Sequence, residues 1–294
     1  MISLSAFLES PQYLSTDFLA VLGHPVSHSL SPLIHQNAID HYGIAATYYA
    51  IDCSQEEYPL LKNLLEHPGF VGANVTLPLK EAILKYIGFA DISAKRIGAV
   101  NTLVRTKDDN DEFIIKGYNT DVFGFLHPLQ SLVPNENQAI ILGSGGASKA
   151  IRSALLSIGY RKIVVVSRTP DTAVQAMEPD EDIHVTDYNG LKDALETSDL
   201  IVNTTPVGMH PNTGHSPFPD TLLPQLKEKI CYDIIYNPVK TKFLSDAEMH
   251  GASIIDGLDM FVHQAAHSFK LWFNRPMDTD HTRKLILNAM KQPK

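Results

Sequence analysis

Short apolar runs alternate with stretches of helical periodicity along most of this chain. Asp17–Leu22, Thr47–Cys53 and Phe70–Thr76 have the length and apolar content of buried strands. Between and after them, Leu33–His41, Gln55–Leu65 and Pro78–Ile87 repeat apolar residues at helical spacing. Ser31 stands as an N-cap, with Pro32 at the first helical position. Ala99–Thr106 and Glu112–Tyr118 flank the polar run Lys107-Asp-Asp-Asn-Asp111 and predict a hairpin. A helix from Val122 carries Phe125, Leu126, Leu129, Leu132 and Val133, and Pro128 kinks or shortens it. Pro134–Asn137 reads as a linker. Beyond it the pattern predicts strand 139–142, helix 147–158, strand 162–166, a weak strand near 183–185, helix 190–197 and strand 199–205. A Pro/Gly-rich loop, 206–219, precedes strand 230–236, helix 241–249 and strand 252–255. Two last helices, 258–273 and about 280–291, have no strand left to cross to and are expected to pack back on the first half. Residues 1 to about 17 are weakly patterned and read as an extension. The alternation predicts two α/β units. One spans 1–120, completed by about 258–294, and the other 121–257. The ligand site is expected in the cleft between them, at strand C-terminal ends.

The stretch Ala139-Ile-Ile-Leu-Gly-Ser-Gly-Gly-Ala-Ser-Lys-Ala150 narrows this picture. An apolar strand, three glycines (Gly143, Gly145, Gly146) and a helix start form the layout in which backbone N–H groups and a helix N-terminus hold a pyrophosphate. The third slot of the motif is Ser148, small enough for close helix–strand packing. At the next strand end stands Ser167-Arg168-Thr169, with no acid for a ribose 2′-hydroxyl; Arg with hydroxyls suits a 2′-phosphate. The expected cofactor is therefore NADP. A glycine turn in an α/β fold without a cofactor is the bland alternative.

At 294 residues, 44% hydrophobic and 19% charged, the chain is long enough for two soluble domains. A net charge of −9 argues against nucleic acid or an anionic membrane as partner, and leaves an anionic ligand in need of a local site. Two cysteines, Cys53 and Cys231, make neither a disulfide framework nor a metal spacing and suit a reducing cytoplasm. The first residues have no basic start and no long apolar run, so neither a signal peptide nor a membrane span is expected. Thirteen histidines show no metal-ligand spacing, and His28 and His35 are read as structural.

Polar residues cluster just after the apolar strands of the first half: Ser29 and Ser31; Asn74, Thr76 and Lys80; Asn101; Asn119 and Asp121. Hydroxyls and amides both donate and accept, which suits a small polyhydroxylated ligand. Lys80 and Asp121 are the candidates for chemistry. An ammonium stabilises the oxyanion formed when hydride reduces a ketone and delivers its proton, and a neighbouring carboxylate biases its protonation. On patterning alone, Lys80 as a solvated helix residue and Asp121 as a helix cap stand equally well.

Seven motifs in order give the chain a resemblance to the shikimate dehydrogenase family. They are Gly23-His-Pro-Val-Ser-His-Ser-Leu-Ser-Pro32 with His35 and Asn37, Asn74-Val-Thr-Leu-Pro-Leu-Lys80, Ile97-Gly-Ala-Val-Asn-Thr102, Gly117-Tyr-Asn-Thr-Asp121, Gly143-Ser-Gly-Gly-Ala-Ser148, Asn203-Thr-Thr-Pro-Val-Gly-Met209 and Gln264-Ala-Ala266. The resemblance implies a substrate domain, a Rossmann-like NADP domain and reversible reduction of 3-dehydroshikimate to shikimate. It matches Ser29 and Ser31, with Tyr236, to the substrate carboxylate. Asn74, Thr76, Asn101 and Gln264 match the ring-hydroxyl ligands, Lys80 the catalytic lysine and Asp121 its partner. Gly143, Gly145, Gly146, Ala147 and Ser148 match the pyrophosphate loop, and Ser167, Arg168 and Thr169 the 2′-phosphate clasp. Asn203, Thr204, Ile234 and Gly257 match positions near the ribose and nicotinamide. Many members carry Asn where Ser167 stands and a second basic residue soon after; here Lys149 is left to supply that charge, and Asp171 weakens the clasp. Alternatives are a quinate/shikimate dehydrogenase using NAD and a non-catalytic ligand sensor on the same fold. The expected partner is the small-molecule substrate alone, for a monomer or homodimer.

Overall fold

The computed structural model describes residues 2–130, 138–175 and 182–291. Two sheets organise it. The first has the order β1-β3-β2-β4-β6-β7-β5, built from β1 (Ile2–Ser3), β2 (Asp17–Gly23), β3 (Ala46–Asp52), β4 (Phe70–Val75), β5 (Phe89–Ala90), β6 (Thr102–Lys107) and β7 (Phe113–Tyr118). Its β1, β3, β2 and β4 run parallel, and β6 is antiparallel to both β4 and β7. Strand β2 sits inside the parallel part, and Phe18 to Leu22 are buried without a break. A strand covered on both faces has no polar-out positions, hence the continuous apolar run.

The second sheet has the order β10-β9-β8-β11-β12-β13, with every pairing parallel. Its strands are β8 (Gln138–Leu142), β9 (Lys162–Val166), β10 (Ile183–Thr186), β11 (Leu200–Asn203), β12 (Ile230–Asp233) and β13 (Ser253–Ile255). Counting from β8, this is the 3-2-1-4-5-6 order of a dinucleotide-binding sheet. The strand order reverses between β8 and β11, and that crevice, at the carboxyl ends, is where such sheets bind their ligands.

The chain divides into two compact units, Met1–Thr120 with Gln264–Lys294, and Asp121–His263. The second boundary falls inside one helix, Gly257–Phe273. The sequence pattern puts that return at about 258. In the first unit, the Trp272 indole N–H donates to the Leu103 carbonyl at 2.8 Å, and Phe269 is fully buried.

Several local expectations are corrected. The N-terminal stretch is built into the core. Ser3 caps helix Leu4–Leu8, Leu4 and Phe7 are fully buried, and the Phe7 ring meets Tyr13, Phe18 and Tyr49. Glu57 anchors the stretch, accepting from the Ser5 N–H at 2.9 Å and its hydroxyl at 2.8 Å. Five residues of helix are too few to show a period. Ser31 is not the N-cap of its helix but its first residue, with Leu30 at the cap. The helix read over 55–65 is a 3₁₀ segment, Gln55–Leu60 with Pro59 inside, followed by Leu61–Leu65. That over 78–87 breaks into Leu79–Ala82 and Ile83–Tyr86. Strands expected to reach Thr205 and Tyr236 end at Asn203 and Asp233, because the residues beyond turn away to form loops. The helix at Asp121–Leu126 gives way to a 3₁₀ turn at His127–Leu129, as Pro128 requires. Leu132, Val133 and the Pro134–Asn137 linker lie outside the described residues. Among the described residues no helix is long and apolar enough to cross a membrane.

Candidate functional site

In the first unit, strand ends and one helix bring polar side chains into a single buried cluster. Asn74, near the end of β4, accepts from the Tyr48 hydroxyl at 2.7 Å and donates to Ser268 at 3.1 Å and Thr102 at 3.4 Å. Asn101, just before β6, accepts from the Thr120 N–H at 2.7 Å and from the Thr102 hydroxyl at 3.0 Å, and its amide donates to the Thr120 hydroxyl at 3.0 Å. The Ser268 hydroxyl lies 2.8 Å from that of Thr102 and 3.2 Å from that of Thr120, and donates to the Gln264 carbonyl at 3.0 Å. The Gln264 side-chain oxygen accepts from Thr120 at 3.4 Å. Asn74, Asn101 and Gln264 are thus brought together. These bonds are neutral throughout, so they place no desolvated charge in the cluster.

Ser29 and Ser31 pair locally, the Ser31 N–H donating to the Ser29 hydroxyl at 3.3 Å. Their loop is tied to β3 by Asp52, which meets His24 Nδ1 at 2.7 Å and accepts from the Val26 N–H at 3.3 Å. Thr76 and Lys80 follow β4, and the Lys80 carbonyl accepts from the Val100 N–H at 2.9 Å. Asn119 donates to the Ala99 carbonyl at 3.0 Å, while its own side-chain oxygen, though buried, meets no hydrogen-bond partner among the described residues. His28 is exposed and His35 wholly buried. The His35 ring stacks on Tyr48 and meets Trp272 edge-on. Burial pushes its pKa down to about 3, a shift the Asn74 side chain opposes. It is therefore a neutral packing residue at ordinary pH.

In the second unit, Gly143 ends β8 with φ +102°, and a Cβ there would stand 2.9 Å from the Thr204 hydroxyl and 2.8 Å from Thr205 Cγ2. No other residue type suits that position. Cβ atoms at Gly145 and Gly146 would meet open space. Helix Gly146–Ser157 begins there without a side-chain cap, and Ala147, Ser148 and Lys149 lie in its first turn. The buried Ser148 hydroxyl has no hydrogen-bond partner among the described residues. An open glycine turn leading to an uncapped helix N-terminus fits a pyrophosphate. Ser167 is buried at the end of β9, its hydroxyl 3.2 Å from that of Ser144 and accepting from the Thr169 N–H. Arg168 and Thr169 are exposed beside it. Arg168 lies near enough to Tyr188 for its charge to oppose the rise that burial causes in the phenol pKa. The Thr204 hydroxyl donates to the Leu142 carbonyl at 2.8 Å, which ties the end of β11 to that of β8. Tyr236 stacks on Phe261 at 4.5 Å, and burial raises its pKa. Gly257 packs against the Ile234 carbonyl so closely that a Cβ would collide with it. Asp121 opens this unit, whereas Lys80 belongs to the first.

Tyr48, Thr102, Thr120, Ser268 and Asp233 are not legible as site residues in the sequence. Thr102 and Thr120 flank residues that are, and Ser268 lies four residues beyond Gln264, on the same helix face. Asn203 is legible, but its buried side chain is bonded to protein on both its polar atoms.

Comparisons with known proteins give the family and the fold. The family model for the shikimate dehydrogenase substrate binding domain matches residues 21–103. The model for shikimate / quinate 5-dehydrogenase matches 129–213, and that for the shikimate 5′-dehydrogenase C-terminal domain matches 257–287. The shikimate dehydrogenase (NADP(+)) of Moorella thermoacetica is 39% identical over 286 residues, 94% of each chain. The shikimate 5-dehydrogenase of Thermus thermophilus, solved in complex with NADP(H) and shikimate, has a TM-score of 0.78 at 34% identity, over 93% of this chain and 100% of that one. The quinate dehydrogenase of Corynebacterium glutamicum, solved in complex with NAD, has a TM-score of 0.80 at 29% identity, over 93% of this chain and 99% of that one.

Proposed function

This chain belongs to the shikimate dehydrogenase family, and from that premise we propose that it interconverts 3-dehydroshikimate and shikimate with NADP as its redox partner. The observation that carries the reading is the neutral buried cluster around Asn74, Asn101 and Ser268, in a chain whose second unit carries the open glycine turn. The cluster offers hydroxyls and amides to a ring of hydroxyls, and the turn offers N–H groups to a pyrophosphate.

Bound NADP supplies or accepts the hydride. The chain's own residues do the rest. Ser29 and Ser31, with Tyr236, hold the substrate carboxylate by neutral donors. Asn74, Thr76, Asn101 and Gln264 read the ring hydroxyls. In the reductive direction the Lys80 ammonium gives its proton to the carbonyl oxygen as negative charge develops there. In the oxidative direction its neutral form takes the alcohol proton. Asp121 orients that lysine and favours its charged form. Arg168, with Ser167, Thr169 and Lys149, holds the 2′-phosphate. Gly143 to Ser148 hold the pyrophosphate, and Thr204, Ile234 and Gly257 shape the nicotinamide end. Domain roles follow: Met1–Thr120 with Gln264–Lys294 takes the substrate and Asp121–His263 the cofactor. Buried free thiols at Cys53 and Cys231 suit a reducing cytoplasm.

The test is absorbance at 340 nm with shikimate or quinate, each with NADP or NAD. Rapid NADPH formation from shikimate alone is the expected result. Equal rates with quinate and NAD move the assignment to the quinate relative, for which Asp171 in the first turn after Arg168 is the motive. Binding of shikimate without turnover moves it to a sensor.

A further inference from the structure

The carboxyl ends of β11 and β12 hold a fully buried carboxylate, Asp233, gripped by neutral donors. Its Oδ1 accepts from Asn203 Nδ2 and from the Ile235 N–H, each at 3.0 Å, and its Oδ2 accepts from the Thr241 hydroxyl at 2.7 Å. A burial this complete is costly for a charged group, and apolar residues fill strand ends without that cost. What the carboxylate does that they cannot is join three segments. Asn203 ends β11, Ile235 follows β12, and Thr241 caps helix Lys242–Met249 by accepting from the Leu244 N–H. Asn203 carries the grip onward. Its Oδ1 accepts from the Thr205 N–H at 2.9 Å and hydroxyl at 2.7 Å, and the Thr205 hydroxyl accepts from the Val207 N–H at 3.2 Å. The two loops also meet where the His210 N–H donates to the Asn237 carbonyl at 3.0 Å.

Neither Asn203 nor Asp233 is exposed, so a ligand meets the loops they hold and not their side chains. The sheet order tells which half of a dinucleotide those loops meet. With the pyrophosphate at the glycine turn of β8 and the 2′-phosphate at β9, the nicotinamide half falls across β11 and β12.

We propose that Asp233 is a positioning residue: through Asn203 and Ile235 it sets the loop Thr204–Val207 and the segment Ile234–Tyr236 in the arrangement that receives the nicotinamide half of the cofactor. The proposal rests on the cofactor reading given above.

Asp233→Asn keeps the shape but sets an amide N–H among donors. Full-length proteins are compared for NADPH binding by fluorescence titration, for binding of adenosine 2′,5′-bisphosphate (the half without nicotinamide) by calorimetry, and for kcat and KM. Asp233→Asn is expected to weaken NADPH binding about tenfold, the scale of one misplaced buried hydrogen bond, and to lower kcat. Affinity for the bisphosphate is expected to stay within about twofold. Asn203→Ala breaks the relay while leaving Asp233 two of its donors, and is expected to show the same split if Asp233→Asn does not fold. Unchanged NADPH affinity, or parallel loss of both ligands, overturns the proposal in favour of a strut for the whole unit. Both binding readouts are independent of turnover. A wild-type protein that binds NADPH but oxidises no shikimate counts against the reaction alone. One that binds neither probe overturns the cofactor reading and this proposal together.

Discussion

Two buried polar clusters, one in each unit, are built on opposite principles. The cluster of the first unit, Asn74, Asn101, Thr102, Thr120 and Ser268, is neutral, and its hydroxyls donate or accept as their neighbours require. That of the second unit centres on Asp233, an ionisable group that, when charged, can only accept. A neutral buried network has no charge to desolvate, and its hydroxyl protons can turn toward an incoming hydroxyl. A carboxylate has no such freedom and fixes whatever donates to it. The first suits recognition of a hydroxyl-rich ring, and the second suits holding backbone still.

The largest test of that contrast is at Lys80, the cation assigned to work on the ligand that the neutral cluster reads. Lys80→Ala is expected to lower kcat by about 10²–10⁴-fold, the usual share of general acid–base catalysis, with NADPH affinity by fluorescence titration nearly unchanged. Loss of NADPH binding with normal turnover at saturation removes its assigned role. Next comes pH. Burial pushes the Asp233 carboxyl up to about 6 from an ordinary 3.8, against the pull of its three donors. The folded chain then holds this proton more tightly than the unfolded chain. The stability it contributes is fully present below about pH 4 and is lost as pH rises through 6, on the order of 3 kcal/mol. Urea midpoints of wild type and Asp233→Asn between pH 4 and 7 should differ by that slope; identical slopes break the contrast. Arg168→Ala should raise KM for NADPH about 10- to 100-fold, the scale of charge-assisted hydrogen bonds, and move KM for NADH little. Equal changes for both cofactors remove the 2′-phosphate assignment. The smallest effect is at Ser268→Ala, which takes a shared hydroxyl from the neutral cluster. A loss of about 1–2 kcal/mol is expected, the same at pH 4 and pH 7 by chemical denaturation. A pH-dependent loss would show that the cluster is not neutral in its working.

Much of this molecule is set by local pattern. The apolar runs of β2 and β8, the glycine turn after Leu142, the Pro128 break and the alternation of strands and helices are read directly from residue order. Each depends on neighbours within one element, where period, turn chemistry and backbone freedom act. The motif residues Ser29, Asn74, Lys80, Asn101 and Asp121 are likewise visible as polar positions after apolar strands. Tertiary structure alone decided the rest. It buried Leu4 and Phe7 of a stretch too short to show a period, because the partners of Phe7, Phe18 and Tyr49, come from β2 and β3. It joined Ser268 to Asn74, 194 residues apart, and enclosed Asp233 between Asn203 and Thr241. A serine on an apolar helix and an aspartate at a strand end carry no mark of such a role. Their meaning comes from which strand lies next to which, and that is fixed by burial of both faces of a sheet, a property of the whole chain and of no segment in it.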